Sequence, residues 1–322
     1  MAVITVLSCN IIYADNKKPI PEAENVKVSE LYNGVTLTSF DVSQNSSYTL
    51  NKFNIVEFDP DQSDLYIDVT NMADYSNTLK TVMKTVEDFN KNNGEGKTAI
   101  AAVNGDLWMV SYAHARVEGS GTTYGGCSDA VVTKSLTVPR GFNMYNGEII
   151  TSPHMKQETP YEGDFQSFGF TADNKPCLGQ PFVAVKTNNI TQDTSKAING
   201  INRLPADNAL VMYTDKGVLS NYSIDEAYEV VIDCDYDYVV KHGALIKGKV
   251  TAICKEGDEN PQMKENRIIL TARGNAEKKI KDYKIGDEIE ISVTVKDSFG
   301  NHEVWQNEIK NAVGGHMVMA SI

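Results

Sequence analysis

The sequence predicts an α+β protein: β-rich, built of mixed sheets with few helices, and incomplete at its C-terminus. Three observations predict this. Short β-branched or aromatic runs, bounded by Asn, Asp, Ser or Pro, recur along the chain. Only one segment, around residues 79–89, has the apolar spacing of an amphipathic helix. The residues after Lys310 are apolar, Gly-containing and uncharged, where a free terminus is usually polar.

Taken in order, residues 1–14 carry no charge and are too short to span a bilayer. They read as the remnant of a secretory signal peptide ending at Tyr13-Ala14, with the basic leading segment missing. A buried first strand is the plainer alternative, and Val6-Leu7-Ser8-Cys9 also resembles a lipoprotein cleavage box. Residues 15–30 are polar, contain two prolines and read as a linker. A single domain is expected over 31–322. No membrane span is expected, and the location is secreted or cell-surface.

Strands are expected at Val35-Thr36-Leu37-Thr38, Tyr48-Thr49-Leu50, Ile55-Val56-Glu57-Phe58 and residues 65–69. Leu79, Val82, Met83, Val86 and Phe89 then form one helical stripe, with Ser76 or Asn77 as N-cap and Asn92-Asn93-Gly94 as the stop. Residues 98–103 are apolar on both faces, as a central buried strand would be, and lead into Asn104-Gly105-Asp106. Further strands are expected at 209–213, 229–234, 249–253, 268–272 and 288–295. In the last, Ile289, Ile291, Val293 and Val295 alternate with polar residues, which predicts one wet face. The apolar segment 312–322 predicts a core strand whose neighbours are supplied by further chain, a second polypeptide or self-association.

The chain has 43 acidic against 30 basic residues and a net charge of -13. No Lys/Arg cluster exists to neutralise phosphates, so nucleic acid is excluded as a partner. An anionic small substrate would be repelled at long range and would need a local Arg or a divalent cation. No metal ligand set is legible, and the cofactor is left unassigned. Asp233, Asp235 and Asp237 alternate, but a calcium loop would need Gly where Tyr238 stands and Glu where Ala244 stands. Of the five cysteines, Cys234 and Cys254 lie on candidate neighbouring strands; they either pair or are small buried thiols.

Several segments in a fixed order resemble the phosphodiester glycosidase family, whose members include the lysosomal uncovering enzyme. They are residues 101–106, Pro139-Arg140-Gly141 with Asn146-Gly147-Glu148, Phe168-Gly169-Phe170 with 173–176, Ile201-Asn202-Arg203 with 209–214, 270–274 with 285–288, and Ala312-Val313-Gly314-Gly315. Together they cover roughly residues 31–322. The family's Asp-Gly-Gly-Gly-Ser-like motif, which follows the last of these, does not occur in the sequence.

The resemblance implies hydrolysis of a sugar-1-phosphodiester in surface or extracellular glycans. The leaving phosphate has a second pKa near ~6, so it departs with little need of a proton. A carboxylate must then stabilise an oxocarbenium-like centre, water must be activated, and the phosphate must be held. Asp106 and Glu148 are the candidate catalytic carboxylates. Asn104, Gly105, Arg140, Asn202, Arg203, Arg273, Gly314 and Gly315 are the candidate substrate-binding residues. Asn-Gly is also the commonest tight-turn pair, so Asp106 can equally cap a turn and Glu148 can equally be an exposed hairpin residue. The alternative class is a non-catalytic carbohydrate- or wall-binding module of the same fold.

Overall fold

A computed structural model describes residues 23–42, 51–59, 65–69, 81–92, 96–103, 105–106, 108–110, 123–124, 127–128, 137–139, 141–153, 155–156, 159–160, 166–203, 205–206, 208–216, 227–255, 258 and 261–315. Strands dominate, with mixed sheets and few helices, as the sequence predicts. The chain divides into two compact units, one of Met1–Asp68 with Lys80–Asn104 and one of Val69–Leu79 with Gly105–Ile322.

The first unit holds an antiparallel three-stranded sheet of Ala23–Tyr32, Val35–Val42 and Asn51–Phe58. Its first hairpin turns at Asn33-Gly34, where Gly34 takes φ 73°, a left-handed value that costs glycine little. Ala23–Tyr32 occupies part of the expected 15–30 linker, because pairing with Val35–Val42 satisfies its backbone even though its side chains stay exposed. The helix is Val82–Asn92, and Thr81 caps it by accepting the Lys84 amide at 3.2 Å. The expected caps Ser76 and Asn77 lie outside the described residues, as do residues 1–14 and 48–50.

Two expected strands do not form. Residues 65–69 run without a ladder, although Ile67 and Asp68 are buried. Residues 98–103 are likewise not a strand, and Val103 is 44% exposed. A run apolar on both faces needs a covering layer on each. Here only Ile100 and Ala101 pack, on Val35, and periodicity alone cannot distinguish the two cases.

The second unit contains an eight-stranded sheet in the order Thr194–Ile198, Pro181–Asn189, Glu288–Asp297, Leu245–Cys254, Ala227–Cys234, Arg267–Arg273, Leu210–Thr214, Gly200–Ile201. Its first and last strands are separated in the chain only by Asn199, so the sheet is nearly closed. Asn199 stitches that seam: its amide donates to the Leu210 carbonyl at 2.6 Å and its Oδ1 accepts the Leu210 amide at 2.9 Å. Lys279 Nζ reaches the same Oδ1 at 3.0 Å.

The inner face buries Ile289, Ile291, Val293 and Val295 at 0–2% exposure, each worth about 1.5–3 kcal/mol. Their polar alternates are exposed or half-buried, as the spacing predicts. Leu210–Thr214 is buried at every position, because Val211 and Tyr213 join Val231 and Ile269 in a second apolar cluster. Burial on both faces is why this strand reads as an unbroken apolar run.

Cys234 and Cys254 do not form a disulfide. Cys234 lies opposite Gly248 and Cys254 opposite Glu229, which puts them about 16 Å apart along the ladder, far beyond disulfide reach.

A five-stranded sheet completes the unit, in the order Pro176–Gly179, Gln166–Thr171, Ile309–Gly315, Asn143–Tyr145, Glu148–Thr151. Residues 312–322 were expected to form a core strand with neighbours from elsewhere, and the described part of that segment lies in Ile309–Gly315. That strand is central within the sheet, with Phe168 opposite Val313 on one side and Met144 opposite Ala312 on the other. Residues 316–322 lie outside the described residues. Trp305, from the short helix His302–Asn307, is fully buried and meets the Phe142 ring edge-on at 5.8 Å. Gly169 and Gly179 make room for it, since a Cβ on either would collide with the indole. The two sheets share one core, which contains Phe142, Met144, Ile149, Ile309 and Ala312 beside the inner-face residues.

Candidate functional site

Three chain segments cross at Asp106. Gly105 and Asp106 lie against Val313 and Gly314 of the central strand and against Gly141 at the start of the strand beside it. The crossing is close enough that a Cβ on Gly141 would stand 2.7 Å from Gly314 Cα, and one on Gly314 would stand 2.6 Å from Gly141 Cα and 2.8 Å from Asp106 Oδ2. Gly105 is similarly constrained by the Val313 side chain. Real Cβ atoms do not tolerate such separations, so Gly141 and Gly314 need glycine because backbone approaches backbone, and Gly105 because the Val313 side chain fills the space.

Asp106 is 6% exposed. Its Oδ2 accepts the Gly141 amide at 2.7 Å and the Asn143 carboxamide at 3.0 Å. Asn143 Nδ2 also donates to Thr151 Oγ1 at 3.0 Å, and the Thr151 hydroxyl donates to the Gly141 carbonyl at 3.2 Å. The neighbouring residue, Ser152, carries the network to the eight-stranded sheet. Its Oγ accepts the Ile201 amide at 3.0 Å, and its carbonyl accepts from Arg203 Nη1.

Arg203 is fully buried and follows Asn202, which adopts φ 48°. Asn202 holds that left-handed conformation with four bonds. Its Nδ2 donates to the Ile150 carbonyl at 2.7 Å and to Thr214 Oγ1 at 2.8 Å, its Oδ1 accepts the Thr214 amide at 2.7 Å, and its own amide reaches the Met212 carbonyl at 2.8 Å. The turn thereby aims the guanidinium back toward Ser152.

Asp106, Gly105, Gly314 and, through Thr151 and Ser152, Asn202 and Arg203 are therefore brought together. Glu148 is not part of this network. Asn146 and Gly147 take φ 50° and 81°, the left-handed pair of a type I′ hairpin, with Tyr145 opposite Glu148. Thr151, three residues on, is the member that reaches the Asp106 network, while Glu148 Oε1 accepts the Val240 amide at 3.4 Å. Burial pushes the Glu148 carboxyl above its ordinary range, against the opposing Val240 amide and Lys216, with Asp215 adding to the rise.

Arg273 is also elsewhere. Its amide bonds the Ala209 carbonyl, whereas Arg203 sits at the Thr214 end of the same strand, about 15 Å away by strand rise. Gly315 pairs with Gln166 at the end of the central strand. Asn104 and Arg140 lie outside the described residues. Asp233 is bound by Arg267 Nε at 2.7 Å and Lys264 Nζ at 3.0 Å. Among the described residues no group of three or more His, Cys, Asp or Glu is placed to hold a metal ion, and no helix is long and apolar enough to cross a membrane.

Asn143, Thr151 and Ser152 were not singled out from the sequence. Their signal was present: a carboxamide between Phe142 and Met144, and two hydroxyls directly after Ile149-Ile150. Polar residues inside an apolar run are the ones that must find buried partners.

No family model matches the chain, and no curated protein matches it. Among solved structures, the fold is similar to a crystal structure from Burkholderia pseudomallei described as "Putative exported protein", with a TM-score of 0.60 at 10% identity over 94% of this chain and 74% of that one. It is also similar to a hypothetical protein from Synechocystis, with a TM-score of 0.55 at 12% identity over 91% of this chain. The chain spans 44% of the length of the latter. At these identities the likeness concerns the fold alone.

Proposed function

We propose that the chain is an exported phosphodiester glycosidase, cleaving a sugar-1-phosphodiester at the anomeric carbon and releasing sugar and phosphomonoester. One observation carries the reading. Segments that resemble family motifs, and that are remote in sequence, meet around one buried carboxylate: Gly105-Asp106, Gly141, Gly314 and, through Ser152, Asn202-Arg203.

In this reading the Asp106 carboxylate stabilises positive charge developing at the anomeric carbon. Arg203 supplies the cation that a protein of net charge -13 needs in order to hold a phosphodiester. Glu148, engaged with Val240 and set apart from the Asp106 network, is not assigned a step. Export is supported by the uncharged residues 1–14 and by the description of the Burkholderia neighbour as exported. Protein recovered from the native cells should begin at or near Asp15; intact Met1 in a cytosolic fraction overturns export.

A second reading, a non-catalytic glycan-binding module, is favoured by the burial of Asp106 at 6% and Arg203 at 0% exposure, where both side chains bond within the fold. One experiment separates the two. The protein is incubated with a sugar-1-(methyl phosphate), and conversion of the diester to methyl phosphate is followed by phosphorus NMR, with free sugar measured by a reducing-sugar assay, for wild type and Asp106→Asn. Hydrolysis by wild type that falls by orders of magnitude in the variant supports the enzyme. Binding without hydrolysis by wild type supports the module. Hydrolysis that survives Asp106→Asn removes Asp106 from the chemistry.

A further inference from the structure

We propose that His242 and His302 form a proton-sensitive latch. As neutral rings they stand in for a missing strand beside Glu288–Asp297 and fasten the Trp305 helix to it, and protonation releases both contacts. The latch is independent of the proposed function.

The strand Glu288–Asp297 pairs with Pro181–Asn189 from Ile289 to Asp297. On its other side, Leu245–Cys254 pairs only with residues 288–292, starting at Leu245 opposite Ser292. Beyond Ser292 that side is closed piece by piece. The Val293 amide donates to the Ala244 carbonyl at 3.1 Å. The next two amides on that side take imidazole acceptors instead. Val295 donates to His242 Nδ1 at 3.2 Å, and Asp297 donates to His302 Nδ1 at 3.0 Å. Gln306 Nε2 completes the copy of a ladder by donating to the Val295 carbonyl at 2.7 Å. His302 and Gln306 are four residues apart, on one face of the helix His302–Asn307. Trp305 of the same helix is fully buried, and the chain continues into Ile309–Gly315, which carries Gly314 of the Asp106 crossing.

A backbone amide can only donate, so each Nδ1 must offer a lone pair, and each neutral ring keeps its hydrogen on Nε2. An imidazolium carries hydrogen on both nitrogens and accepts nothing. Protonation therefore sets donor against donor at both contacts. Val295 and Asp297 are 0% and 1% exposed, where a donor that loses its acceptor is costly. His302 is itself exposed, so the proton arrives directly from solvent.

The charged groups of the surrounding elements do not take over the rings. In the turn, Asp297 Oδ1 accepts the Gln180 amide at 2.6 Å and Oδ2 the Asn301 amide at 2.9 Å. On the helix, Glu303 Oε2 accepts from Asn307 at 3.3 Å, and Glu308 follows the last turn. The strand contributes Lys296, and the neighbouring strand Pro176–Gly179 brings the Cys177 thiol. Lys241 precedes His242, and Glu148 is bonded to the Val240 amide just before it. Neither ring forms an ion pair with any of these groups.

Amide hydrogen exchange tests the latch. Exchange at Val293, Val295 and Asp297 is followed by NMR at about pH 7.5 and about pH 5, either side of the ordinary histidine pKa of ~6.5. Each rate is divided by that of an unstructured chain at the same pH. On acidification, protection of Val295 and Asp297 should fall about tenfold or more relative to Val293, whose acceptor is a carbonyl. Asparagine puts an oxygen near the place of Nδ1 and does not titrate. In His302→Asn the loss at Asp297 should vanish while that at Val295 remains, and His242→Asn should do the reverse. Constant protection in wild type, or a loss at Asp297 that persists in His302→Asn, overturns the proposal. An equal loss at Val293 marks global unfolding and overturns it as well. Should a variant fail to fold, wild type alone decides. The Asp297 amide shift should titrate with the His302 ring and the Val295 amide with the His242 ring, and unmatched midpoints overturn the latch.

Discussion

The Asp106 carboxylate accepts the Gly141 amide at 2.7 Å across 35 residues of chain, in a crossing that leaves no room for a Cβ on Gly141. Two residues weakly informative in isolation thereby constrain one another: the carboxylate anchors the turn, and the glycine lets it come close. The same crossing holds Gly314, so a carboxylate, a turn and a central strand depend on a shared geometry.

Gly314→Ala and Gly141→Ala should each destabilise the protein by about 1–3 kcal/mol, because the added methyl meets backbone that cannot swing aside. Urea denaturation measures this. Gly286, with open space around it, is not a matched control because its φ of 94° strains any side chain; the comparison is therefore with Ser298→Ala on an exposed turn. Equal midpoints for Gly314→Ala and wild type would show that the crossing is looser than described.

Asp106→Asn keeps an oxygen to accept the Gly141 amide and the Asn143 carboxamide, so its stability should fall by only about 1 kcal/mol, the difference between a charged and a neutral acceptor. Asp106→Leu strands both donors and should cost several times more. Thermal unfolding of the two variants checks the ordering. If the two fall equally, the hydrogen bonds do not anchor the turn.

Glu148 predicts a pH dependence with a definite sign. Burial raises its carboxyl pKa in the folded state, so the native protein holds that proton over a window in which the unfolded chain has released it. Stability from this group is therefore lost as pH rises from the unfolded value through the folded one. Glu148→Gln retains an oxygen for the Val240 amide and removes the buried charge. The variant should match wild type below the ordinary carboxylate range and exceed it at neutral pH. A variant less stable than wild type at neutral pH reverses the assignment.

The three described cysteines, Cys177, Cys234 and Cys254, are free thiols, and burial pushes all three above the usual thiol range, Cys234 to about 12. Mass spectrometry without reductant should find each unpaired. Alkylation of Cys234 in the native protein should be far slower than in urea, because the thiolate is the reactive form. A Cys234–Cys254 crosslink would contradict the register of their ladder.

Trp305 fills the space left by Gly169 and Gly179 and packs on Phe142. Trp305→Ala should cost about 3–5 kcal/mol, a loss measurable by urea denaturation. Wild-type tryptophan fluorescence should be blue-shifted while the protein is folded. Gly179→Ala should destabilise through the same cavity, and a neutral result there would separate the indole from the glycine.

The sequence by itself determined the strand-rich class and most of the barrel-like sheet. Alternation at Ile289, Ile291, Val293 and Val295, and the unbroken runs of Leu210–Thr214 and Arg267–Arg273, report burial on one face or two, and burial is a local property of the pattern. The family-like segments singled out Gly105, Asp106, Gly314, Asn202 and Arg203 together with Asn104, Arg140, Glu148, Arg273 and Gly315. Tertiary structure decided what pattern cannot carry. Residues 98–103 had the composition of a buried strand but do not run as one. The segment 312–322 had the composition of a strand in need of neighbours, and for residues 312–315 they come from more than a hundred positions earlier. Glu148 and Arg273 sat beside plausible motifs, yet Glu148 bonds Val240 three residues before Thr151 and the Arg273 backbone pairs with Ala209, at the far end of the strand from Thr214. Asn143 and Thr151 carried a signal as polar residues beside apolar ones, but their partners at Asp106 and Gly141 meet them only once the segments have crossed.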